Sequence, residues 1–198
     1  MQKFYFLMLF LSMNAFSMPF SESFILTNDG SKINIKTNFF RIDNAEKIVF
    51  YKLPNSDAES RIKFKDFDYI HIGSSKFKTY KLNNSKEIVG YFVLSETTSK
   101  TLIFTTKTDE DEESTKVNYA FYILDSNNNI IDSLQFDNIK SLKSSNIRGD
   151  IYSKIQFYFS DCDMLMKRID SYDNLSAKDQ NLGILDFFNS PVYTECHK

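Results

Sequence analysis

The chain has 198 residues, a formal charge of −2 and 16% aromatic residues, with 20 Phe, 11 Tyr, no Trp, 5 Gly and 3 Pro. Large apolar side chains at this density exclude an intrinsically disordered chain, and the near-neutral charge argues against the global basic field that draws proteins onto nucleic acid. The length suits one domain with a substantial core.

The chain opens MQKFYFLMLFLSMNAFS. One lysine, an apolar run from Phe4 to Leu11 and small residues at Ala15 and Ser17 follow the three-part order of a secretory signal peptide, so residues 1–17 are expected to be removed after Ser17. The apolar run is too short for a membrane-spanning helix, which needs about 20 residues. No later stretch is long and apolar enough to span either, so no stable membrane span is expected after cleavage. Residues 18–198 then read as a single β-rich domain, secreted or periplasmic.

Alternation dominates the next two thirds. Residues 32–39, 46–53, 60–64, 87–97, 100–107 and 117–125 are short runs rich in Ile, Val, Phe, Tyr and Thr, and each reads as a strand. The breaks carry turn residues, among them Asn28-Asp29-Gly30, Gly73-Ser74-Ser75 and Asp125 to Asn129. Such close spacing predicts antiparallel hairpins, because parallel strands need crossovers of a dozen or more residues.

Residues 64–82, FKDFDYIHIGSSKFKTYKL, interleave aromatics with lysines. Such a surface can stack bases and grip phosphates, but lysines also mark solvent-facing and edge positions. Two sheet strands around Gly73 are the reading adopted. Strict alternation would put Phe67, Tyr69 and His71 on one side and Asp68, Ile70 and Ile72 on the other. His71 alone is not a catalyst, since a general base needs an oriented partner.

The acidic run Asp109 to Glu113 could attract a divalent cation, but adjacent carboxylates without alternating ligand spacing form a solvated loop. Asp125-x-Asn127-x-Asn129 resembles the start of an EF-hand loop, yet Ile130 stands at the glycine position and Phe136 at the terminal glutamate position, so a hairpin turn is expected. Asn83 and Asn174 begin Asn-x-Ser triplets, which matter only in a host that glycosylates. The nucleotide-binding, nucleophile-elbow and zinc-protease motifs are missing. No catalytic, cofactor-binding or metal-binding residue is therefore assigned.

After about residue 146 the period changes. Ile147, Ile151, Ile155 and Phe159 recur at steps of four, as one stripe of a helix requires. Ser160 or Asp161 would cap a second helix carrying Met164, Leu165, Ile169 and Tyr172 on one side, and Ser176 with Asp179 would open a third that ends near Asn189. The fold class predicted is α+β: a mainly antiparallel β body, as a sheet, sandwich or partly open barrel, followed by two or three C-terminal helices.

Cys162 and Cys196 complete the reading. In an oxidising compartment the even count predicts one disulfide, Cys162 to Cys196. The alternatives are a nucleophilic pair of Cys162 with His71 or His197, and zinc held by Cys162, Cys196, His197 and Asp161 or Asp163; neither has a recognisable local spacing. Two classes of function remain: an exported, non-enzymatic domain that binds a protein or cell-surface component through a sheet face or edge, and a small secreted hydrolase-like enzyme whose site is assembled only in three dimensions.

Overall fold

A computed structural model describes residues 22–111, 114–138, 146–173 and 180–196. The expected signal peptide, Ser176, Asp179 and His197 lie outside them. Strands β1 (Phe24–Thr27), β2 (Lys32–Asn34), β6 (Phe67–Ile72), β7 (Ser75–Tyr80), β8 (Val89–Glu96), β9 (Lys100–Asp111), β10 (Ser114–Asp125) and β11 (Ile130–Asp137) make one large sheet in the order β11-β10-β9-β8-β7-β6-β1-β2, antiparallel throughout this path. Between β2 and β6 the chain leaves to form a separate three-stranded sheet of β3 (Phe40–Asp43), β4 (Ile48–Lys52) and β5 (Glu59–Lys63). Helices α1 (Ile147–Phe159), α2 (Asp163–Asp173) and α3 (Gln180–Asn189) follow, and a final short strand, β12 (Thr194–Glu195), pairs in parallel with β8. The architecture is the predicted antiparallel β body with C-terminal helices.

Side chains directly opposite one another across a sheet share a face. The registers align Ile33, Ile25, Ile70, Phe77, Phe92, Phe104, Phe121 and Leu134 into one apolar row across all eight strands. Two lids cover this row. The three-stranded sheet buries the β1–β7 half beneath Val49, Tyr51 and Phe40, with Phe40 packed edge-on against Phe77 and Phe92. The helices bury the β8–β11 half with Ile151, Ile155, Phe159, Leu165, Ile169, Phe187 and Phe188. Phe188 meets the rings of Phe104, Phe121, Tyr119 and Phe136. At roughly 1.5–3 kcal/mol per fully buried large apolar side chain, this double lid is the main source of stability.

The opposite face holds a smaller apolar cluster of Tyr80, Tyr91, Val93, Ile103 and Leu124. Asn83, in the β7–β8 connection, donates its backbone N–H to Asn128 O at 3.3 Å and accepts at Oδ1 from Ile130 N at 2.8 Å, tying that connection to the β10–β11 turn.

The stripe Ile147, Ile151, Ile155 and Phe159 is buried as its spacing predicts, and Asn146 caps α1 by accepting from Gly149 N. In α2, Leu165 and Ile169 are fully buried, but Met164 is 59% exposed and does not join their side. The helix starts at Asp163, after the two residues expected to cap it. The run 32–39 is not one strand: β2 ends at Asn34, and Ile35 turns into the core beneath the small sheet while Lys36 N bonds Lys52 O at 2.8 Å.

The described part of the acidic run, Asp109 to Asp111, is strand where a solvated loop is expected, and Glu112 and Glu113 lie outside the described residues. Asp109 to Asp111 continue β9, opposite Lys116 to Ser114, and Asp109 accepts from Asn118 Nδ2 at 2.7 Å and pairs with Lys107 at 3.1 Å. Lys107 and Asn118 thus compensate the charge of Asp109 within the strand. The Asp125 turn behaves as predicted, with Oδ1 accepting from the backbone N–H of Asn127 and Asn129 at 2.8 Å and Asn128 at a φ of 62°.

Candidate functional site

The stretch 64–82 forms two adjacent strands, and its alternation is interrupted once. Leu26 faces Tyr69 and Thr27 faces Phe67, so Asp68 is an extra residue in β6. A bulge of this kind reverses side-chain parity. Phe67 therefore enters the core with Ile70, contrary to strict alternation, while Tyr69 and His71 stay together on the face opposite the two lids.

That face carries a continuous aromatic group at the end of the sheet where β6 ends and β7 begins. Phe24 lies 5.2 Å from His71 and 5.9 Å from Tyr69 between ring centroids, Tyr69 lies 5.4 Å from His71, and Tyr193 of the C-terminal segment lies 6.0 Å from His71. All four rings are half-buried. Lys76 Nζ sits 4.4 Å from the Tyr193 ring centroid and 5.1 Å from that of Tyr69, and forms a salt bridge with Glu96. Tyr193 donates its hydroxyl to Glu96 Oε2 at 2.9 Å.

Tyr193 reaches this place because the tail is held at several points. Its backbone N–H donates to Ser74 O at 2.8 Å, Ser95 Oγ donates to Thr194 O at 2.9 Å, and Ser75 donates to Pro191 O. Arg168 of α2 donates to the carbonyls of Phe187, Ser190 and Val192 at 2.7–3.1 Å. The sulfurs of Cys162 and Cys196 lie at disulfide distance, 1.97 Å, with their Cα atoms 5.2 Å apart. The C-terminal tail thus contains a strand, because β7 begins only at Ser75 and leaves the β8 backbone at Ser95 and Glu96 available to β12.

Electrostatics keep this cluster in one protonation state near neutrality. Burial, reinforced by Lys76, holds the His71 imidazole below its ordinary value, against the opposing pull of Glu96 and Glu195. Burial resists ionisation of Glu96, but the hydrogen bonds from Lys76 and Tyr193 outweigh it and leave the carboxyl below the usual range. Burial and the Glu96 charge raise the Tyr193 hydroxyl. The cluster is therefore a neutral imidazole beside a satisfied Lys–Glu pair. No side chain is hydrogen-bonded to His71 among the described residues.

Three open grooves lie elsewhere. One of about 430 Å³ runs over β9–β11 between Thr105, Lys107, Asn118, Gln135 and Asp137, whose charges are already paired with neighbours. Two others, of about 440 and 340 Å³, adjoin one another and share Phe64, Lys65 and Ile88. None of the three is lined by His71. Among the described residues no group of three or more His, Cys, Asp or Glu side chains is placed to hold a metal ion, and no helix is long and apolar enough to cross a membrane. Comparison with family models, with curated proteins and with solved structures finds no match to the chain.

Proposed function

We propose that the protein is an exported, non-enzymatic binding domain that holds a protein or cell-surface component against the open face of its large sheet. The observation that carries this reading is the half-buried group of Phe24, Tyr69, His71 and Tyr193 on the face opposite both lids. Rigid aromatic rings offer large contact area at a small entropic cost, and Lys76 and Glu96 at their side add polar selectivity. The hydrolase-like alternative is weaker, because the imidazole lacks an orienting partner and lies outside the grooves described.

Export supplies the oxidising compartment in which the neighbouring Cys162 and Cys196 join as a disulfide. N-terminal sequencing of protein recovered from fractionated native cells should begin near Met18; an intact Met1 in the cytoplasm would refute export. For the face itself, the test is binding of the purified protein to cell envelopes from the same cells. Phe24→Ala with Tyr69→Ala should weaken binding by roughly tenfold or more. Phe157→Ala, on the helical side and 78% exposed, should not. Equal binding by all three proteins would sink the proposal.

A further inference from the structure

At the end of the sheet away from His71, β1 and β7 finish, β6 and β8 begin, and the β3–β4 turn comes alongside. Five lysines that are scattered in sequence meet there: Lys47, Lys63, Lys65 and Lys86 line the larger of the two adjoining grooves, and Lys65 and Lys81 line the smaller. Glu46 and Glu87 are the acidic residues in their walls. Lys47 is paired with Glu87 at 2.9 Å. Lys63, Lys65, Lys81 and Lys86 have no carboxylate within ion-pair distance among the described residues; elsewhere Lys32, Lys36, Lys76, Lys78 and Lys154 are each paired with one, while Lys52, Lys100 and Lys167 are not.

The backbone that presents them is held firmly. Phe64, between Lys63 and Lys65, is anchored in the core at 2% exposure. Its N–H donates to Lys47 O at 2.9 Å and its carbonyl accepts from Thr79 Oγ1 at 3.3 Å, while Asn28 Nδ2 donates to Lys65 O at 2.6 Å. Core anchoring of Phe64 leaves both flanking lysines exposed at the surface.

The geometry points to a second binding site here, one that takes a segment of an acidic polysaccharide. Two adjoining grooves with cations distributed along them suit a chain bearing repeated, separated anionic groups. Lysine is a compact point charge that suits such groups, where a single phosphate is better gripped by the planar fork of arginine. The concavity admits a chain and not the plane of a membrane. With Phe64 buried, its ring offers no platform for stacking a base, the feature that single-stranded nucleic acid sites use. Glu46 and the Oδ1 of Asn28 are suited to sugar hydroxyls, and the half-buried Ile88 to the apolar face of a pyranose. The net charge of −2 conceals this local field, because five lysines and two carboxylates, Glu46 and Glu87, line the two grooves.

The site is separate from the aromatic face, so the two readings fail separately. The probe is an oligogalacturonate, titrated calorimetrically at low salt into the full exported chain. Wild type should bind, and added salt should weaken the interaction. Lys65→Glu with Lys86→Glu should reduce affinity roughly tenfold or more, since each reversal replaces an attraction by a repulsion. Lys52→Glu with Lys167→Glu changes the net charge equally, away from the groove, and should stay within about twofold of wild type. Lys65→Arg with Lys86→Arg should retain binding. Absence of binding by wild type, or equal losses in the two charge-reversed proteins, would overturn the site. Tighter binding of tripolyphosphate, single-stranded DNA or anionic vesicles than of oligogalacturonate would overturn the polysaccharide assignment.

Discussion

Replacing Cys196 by Ser in the oxidised protein should lower its stability by about 4 kcal/mol. The value comes from the 34-residue separation of the two cysteines: in the chain-entropy account a cross-link restricts the unfolded chain by an amount that grows with the logarithm of the closed loop. The native state also loses support, because β12 contributes two register pairs to β8 and depends on Arg168 and Ser95 for the rest of its hold. Urea titration of oxidised wild type, reduced wild type and the Ser variant measures this directly. The latter two should coincide, with midpoints below oxidised wild type and a drop in thermal midpoint of roughly 10 °C. Amide exchange should speed up at Tyr193 and Cys196, whose N–H groups bond Ser74 and Glu96. Coincident midpoints for the oxidised and reduced protein, with those amides still protected, would refute the reasoning.

The His71 imidazole is depressed from its ordinary 6.5, so the unfolded chain takes up its proton first; stability should fall as pH drops below about 6.5 and level off below the folded value. Glu96, depressed from 4.5, adds a further loss as pH falls through its folded value, and His71→Asn should remove the upper phase of the stability–pH curve and keep the lower one. Gly90→Ala should destabilise by about 1–3 kcal/mol in urea, because a Cβ there would stand 2.2 Å from Phe77 Cζ and 3.1 Å from Phe64 Cζ, both on buried rings; an unchanged midpoint would contradict that packing. Tyr80 has a buried hydroxyl with no hydrogen-bond partner among the described residues, and burial raises its pKa. Tyr80→Phe should be neutral or stabilising by about 1 kcal/mol in the same assay, and a clear loss of stability would show that the hydroxyl is satisfied.

Local pattern carried much of the architecture. The stripe Ile147, Ile151, Ile155 and Phe159 is legible because a helix repeats its buried face every three to four residues whatever it packs against, and all four are buried. Strand alternation around Asn83, Gly73 and Asn128 is legible for the same reason, since turn chemistry is a property of a few adjacent residues. The cysteine pair could be anticipated by count. Periodicity, however, states that a face is buried and is silent on what buries it. That Ile35 leaves the large sheet for the small one, that Asp68 bulges and turns Phe67 inward, and that β12 completes β8 beyond the start of β7 are decided by hydrogen bonding between residues far apart in the chain. Neither candidate site was readable for the same reason. Tyr193 joins His71, and Lys47, Lys63, Lys65, Lys81 and Lys86 come to line two adjoining grooves, only after the strands are placed side by side. Each of those side chains is locally an ordinary solvent-facing residue, and its meaning comes from neighbours that sequence order does not identify.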